Sequence, residues 1–146
     1  MFDTIVVGTD GSAHADRAMK AAAKLAAAQP GAKLHVVMAF HPLSAAEVAD
    51  AAAALPDEFR PILNAHYPAE SVLERANVLT QQEGIEATMH EVDDDPTDAL
   101  IEVAERLEAD LLVVGSRGEG LARRAMHGSV STKLLHHAPC SLLVIH

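Results

Sequence analysis

Five short apolar runs, separated by stretches of different periodicity, constrain this chain more than any other feature. They are TIVVGTD (Thr4–Asp10), KLHVVMAF (Lys33–Phe40), IEATMHEV (Ile85–Val92), DLLVVGS (Asp110–Ser116) and CSLLVIH (Cys140–His146). Near-continuous aliphatic runs of this length, ending in turn residues, match strands covered on both faces. The third run alternates only in part, which places it nearer a sheet edge. Between the runs lie helical patterns. SAHADRAMKAAAKLAAAQPG starts with Ser12 or Asp10 as a cap and stops at Pro30-Gly31. The stretch near Glu70–Glu83 carries Val72, Ala76 and Leu79 at helical spacing and ends before Gly84. DPTDALIEVAERLEA has Pro96 near its first turn and Leu100, Val103, Ala104 and Leu107 on one face. Strands alternating with helices imply βαβ crossovers and a parallel α/β sheet.

Pro42–Pro68 is the irregular part, Ala-rich and interrupted by prolines at 56, 61 and 68. It reads as a surface helix broken by turns, with a lid over a site as the alternative. No long Gly/Ser/Pro linker divides the 146 residues, so one domain over 1–146 is expected. Three Phe, one Tyr and no Trp leave Ala, Val and Leu to fill the layers.

A formal charge of −10 argues against nucleic acid as a partner, because a phosphate backbone needs a positive footprint. It argues equally against an anionic membrane surface, and no apolar run approaches the roughly 20 residues that span a bilayer. The start, MFDTIVVGTDG, carries an acid where a signal peptide needs a basic region. Cys140 is the single cysteine, so no disulfide closes within the chain, and a cytoplasmic location is expected. Of nine histidines only His136 and His137 are neighbours, and adjacent helical positions point apart. No metal-ligand spacing appears.

In open parallel sheets, ligands bind beyond the carboxyl ends of the strands where the strand order reverses. Two runs end in unusual chemistry: GTDGS after the first, and GSRGEGLARRAMHGSVS (115–131) after the fourth. In the latter, Gly115 and Gly118 remove side chains where the backbone turns, and Gly128-Ser129 opens a helix. The first N–H groups of that helix lack internal partners and carry partial positive charge, which suits a phosphate. Ser129 also reads as an ordinary helix cap, and spacing alone leaves both readings open. The loop is not GxxxxGK[ST], and Gly8 and Gly11 do not form GxGxxG.

The spacing G-x2-G-x9-G-[S/T] over Gly115, Gly118, Gly128 and Ser129 resembles the ATP-binding signature of the universal stress protein family. HAPCSLLVIH resembles that family's closing helix end and fifth strand, and IVVGTDGS its opening strand and acidic residue. The likeness covers essentially the whole chain. It implies a doubly wound, Rossmann-like five-stranded parallel sheet in the order 3-2-1-4-5, with helices on both faces and ATP across the crevice. It further implies Asp10 by the ribose with Thr9 beside it, and backbone groups of Val36 at the adenine edge. Gly115, Gly118 and Gly128 would line the phosphates, with Ser129, Val130 and Ser131 as donors. Arg117 would neutralise phosphate charge, and Mg²⁺ would bridge phosphate oxygens. In such a family two copies of the last strand pair across a twofold axis, so a homodimer through Leu142–Ile145 is expected.

Efficient catalysis is not expected, since no residue beyond Asp10 is available to orient a nucleophile. An ATP-binding regulatory module is the reading chosen. The alternatives are slow hydrolysis or autophosphorylation at Ser129 or Ser131, and an occupant such as AMP, cyclic AMP or protein alone. An adenine-nucleotide α-hydrolase would need an SGGxDS loop where this chain reads GTDGS.

Overall fold

The computed structural model describes residues 1–116 and 129–146. Strands β1 (Thr4–Gly8), β2 (Lys33–Ala39), β3 (Ala87–Val92), β4 (Leu111–Gly115) and β5 (Ser141–Ile145) form one parallel sheet in the order β3-β2-β1-β4-β5. The helices are α1 (Ala13–Ala27), α2 (Ala45–Ala53), α3 (Tyr67–Gln82), α4 (Pro96–Arg106) and α5 (Ser129–His137), with a 3-10 turn at Arg60–Ile62. The doubly wound order follows the expectation, and the partly alternating third run is an edge strand.

Strand alternation sends consecutive residues to opposite faces, so one strand feeds two cores. Ile5, Val7, Leu34, Val36, Leu111 and Val113 pack under α1 and α3. Val6, Val37, Leu112 and Val114 pack under α4 and α5. This double burial is why the β1 and β4 runs read as continuous apolar segments. The buried side of α1 is Ala15, Ala18, Met19, Ala22, Ala23 and Ala26. Such small side chains let the helix backbone settle close to the strands.

Ser12, rather than Asp10, caps α1: its Oγ accepts from the Ala15 N–H at 3.1 Å, and the residue is 1% exposed. The third helix starts three residues earlier than the pattern suggested, because Pro68 is compatible with a first turn. In the irregular segment, Ser44 and Glu47 form a reciprocal capping box that starts α2. No residue of α2 is buried, so the surface-helix reading of this segment holds. Cys140 is half-buried, and desolvation raises its thiol pKa.

Candidate functional site

From β1 the chain passes into α1 on one face, and from β4 it leads on to α5 on the other. β1 and β4 are neighbours, with Ile5, Val6 and Val7 opposite Leu111, Leu112 and Val113. Their carboxyl ends therefore flank the point where the winding reverses, and α1 begins at that edge of the sheet. The unpaired N–H groups and partial positive charge of a helix start lie beside this crevice.

The β1 side of the crevice is a tight turn. Thr9 Oγ1 accepts from Gly11 N–H at 3.2 Å, and Asp10 Oδ1 accepts from Ser12 N–H at 2.9 Å. Gly11 has φ +80°, and a Cβ there would stand 3.0 Å from Val72 on α3. These bonds hold Asp10 at the mouth of the crevice, where it is exposed. Its carboxylate thus shapes the turn.

On the β4 side Gly115 closes the strand, and Ser116 N–H continues the ladder to the Ile145 carbonyl at 2.7 Å. A Cβ on Gly115 would lie 2.9 Å from the carbonyl carbon and oxygen of His14. The missing side chain at 115 is therefore accounted for by the close approach of α1, a reason that needs no ligand. His14 stands at this spot with Arg17, whose guanidinium donates to His14 Nδ1 at 2.6 Å, a cationic group in the first turns of α1. Sequence reasoning passed over His14, since only the α1–β4 contact brings its backbone beside Gly115.

The expected site residues divide into three groups. Thr9, Asp10 and Gly115 come together at the adjacent ends of β1 and β4. Arg117, Gly118 and Gly128, with Arg123 and Arg124, lie outside the described residues. α5 begins at Ser129, and the half-buried Val130 packs against the α4-side core. Ser131 is also half-buried in the first turn of that helix.

Val36 is not at the mouth. It is fully buried, opposite Val7 and Met89, three residues short of the end of β2. Backbone groups alternate in direction along a parallel strand. Thr9 N–H donates to the Val37 carbonyl, while Phe40 N–H donates to the Val92 carbonyl, both at 2.9 Å. Odd positions of β2 thus face β1 and even positions face β3, which turns the main chain of Val36 away from the crevice. Ala39 faces the β1 side one step beyond the last rung between these strands. The parity signal is present in the sequence only once the register is known.

Among the described residues no three or more His, Cys, Asp or Glu side chains gather. No helix among them is long and apolar enough to cross a membrane.

The universal stress protein family model matches residues 1–146. A universal stress protein of Thermus aquaticus is 34% identical over 99% of both chains. One from Mycobacterium tuberculosis is 34% identical over 99% of this chain and 97% of its own. Among solved structures, a universal stress protein in complex with cAMP superposes with a TM-score of 0.73 at 31% identity, covering 99% of this chain and 97% of the other.

Proposed function

Because the chain belongs to the universal stress protein family, we propose that it is a nucleotide-binding regulatory module over 1–146 that takes ATP at the β1/β4 switch point. The supporting observation is the placement of Asp10, Thr9 and the start of α1 at the adjacent ends of β1 and β4. In this reading the Asp10 carboxylate accepts from the ribose hydroxyls, and Thr9 stays beside it. Ala39, rather than Val36, offers main-chain groups to the adenine edge, since it faces β1 where the ladder has ended.

The triphosphate lies towards α5. Gly118 and Gly128 let the backbone approach it, Arg117 neutralises charge, and Ser129, Val130 and Ser131 donate hydrogen bonds from the first turn of the helix. Gly115 contributes by admitting α1 to the same edge. Mg²⁺ accompanying the nucleotide would supply charge neutralisation at the phosphates and would need no cluster of protein ligands. When bound, the metal offsets phosphate charge on a chain whose own formal charge is −10.

A second reading, AMP or cyclic AMP in the same crevice, is favoured by the 31%-identical relative solved with cAMP. Native mass spectrometry of the purified protein, followed by calorimetric titration with ATP, ADP, AMP and cyclic AMP, separates the two. Tightest binding of ATP with a magnesium requirement supports the first reading. Equal or tighter binding of the monophosphates selects the second, and no binding of any of them removes both.

We also infer a homodimer through β5. Ser116 N–H donates to Ile145, so Ser141, Leu143 and Ile145 direct their backbone groups to β4. Leu142 and Val144 then direct theirs to the outer edge, where no strand stands among the described residues. An uncharged, apolar edge of this kind is a template for pairing.

A further inference from the structure

His35 on β2 and His90 on β3 sit on the α4 side of the sheet, because alternation places them with Val37 and Val92, both part of the α4-side packing. His90 stands opposite Val37 and His35 opposite Thr88, so the rings meet diagonally. His35 Nδ1 lies 3.0 Å from His90 Nε2, with ring centroids 5.2 Å apart and planes tilted by 38°. A hydrogen bond between two imidazole nitrogens needs one lone pair, so the doubly protonated pair cannot form it.

The surroundings oppose positive charge. Lys33 precedes His35 on the same face of β2, and Arg106 reaches the pair from the last turn of α4. Glu86 borders, with Lys33 and His35, the groove at the amino ends of β2 and β3. Glu91 is turned to the other face of β3, against His66. Burial first, then the charges of His90, Lys33 and Arg106, lower the pKa of His35 below the ordinary histidine value. Burial and then Arg106 lower that of His90. β3 is also held by a single strand neighbour, β2.

We propose that the His35–His90 pair is an acid-sensitive latch on the edge strand β3. Starting from the neutral pair, each ring takes up one proton from solvent as the medium acidifies. The second proton removes the imidazole–imidazole bond and sets two cations side by side, near Lys33 and Arg106. β3 then loosens from β2. The latch stands at the sheet's β3 edge and does not rest on the proposed nucleotide site.

Hydrogen–deuterium exchange of the whole chain tests this, from about pH 7.5 to about pH 5, with each rate corrected for intrinsic exchange. Peptides covering 87–92 are expected to lose protection several-fold as the pH falls, while those covering β1 and β4 keep theirs. The double variant His35→Gln/His90→Gln flattens the response, and so does His90→Phe, which keeps a ring but not the titration. Imidazole NMR titration of the unsubstituted protein adds a readout that needs no variant: the two rings protonate below the ordinary histidine value, as a coupled pair. Protection of β3 that follows β4 at every pH overturns the latch. So does a response that survives in the variants, or either ring titrating at the ordinary value.

Discussion

At the scale of single residues, each glycine or acid at the crevice has a physical reason that can be separated from its ligand role. Gly115 answers to α1: a methyl there meets the His14 backbone at 2.9 Å, and backbone cannot yield as a side-chain tip can. Gly115→Ala is expected to destabilise the fold by about 1–3 kcal/mol, measured by urea denaturation. Asp10 holds Ser12 N–H, and in the proposed site it also offers its carboxylate to a ribose. Asp10→Asn keeps an acceptor for the turn and removes the charge. Its melting temperature should stay close to that of the unsubstituted protein. Its affinity for adenine nucleotides should fall on the order of tenfold, about 1.4 kcal/mol, by calorimetric titration. An unchanged affinity would take Asp10 out of the site. The identities of Thr9, Asp10 and Gly115 were legible as letters. The direction of the Val36 main chain, towards β3, was not, since backbone direction depends on register, and register is a property of two strands.

Among the elements, the segment between β2 and α3 shows what local signals achieve. Ser44 and Glu47 start α2 without help from the core, and the capping box was there to be read. What ties the segment to the sheet is long-range: His66 Nδ1 lies 2.5 Å from Glu91 on β3, and His41 pairs with Asp93 beyond that strand's end. The hydrogen bond that His66 donates to Glu91, more than any other cause, raises the pKa of His66 above the ordinary value. A raised folded pKa means that this contribution is complete below the unfolded pKa of about 6.5 and disappears as the pH climbs through the folded value. Thermal melts of His66→Gln against the unsubstituted protein should differ most at acid pH and converge at alkaline pH. The His35–His90 pair has the opposite sign. Its folded pKa values are lowered, so its stability is complete above about pH 6.5 and is lost on acidification. Two histidine sites on one strand thus oppose each other across the neutral range.

For the whole molecule, the proposed homodimer rests on the outer edge of β5. Leu142 and Leu143 lie on opposite faces of the sheet, and both already pack inside the protomer. A partner strand would therefore be held chiefly by main-chain bonds. Val144→Pro removes one outward N–H and leaves the groups that bond β4 in place. Light scattering after size exclusion should show a dimer for the unsubstituted chain and a monomer for this variant. A monomer in both cases would dispose of the interface.

By itself the sequence determined the class of the fold, because burial on two faces writes itself as continuous apolar strands between amphipathic helices, while the order of winding followed from the resemblance to the universal stress protein family. It also determined where a ligand would be sought, because both unusual strand endings fall at the carboxyl edge. Only the tertiary structure decided that Gly115 makes room for α1, that Val36 directs its main chain to β3 and Ala39 to the β1 side, and that His35 meets His90. Each of these depends on the distance and register between elements far apart in the chain, which no local pattern of residues encodes.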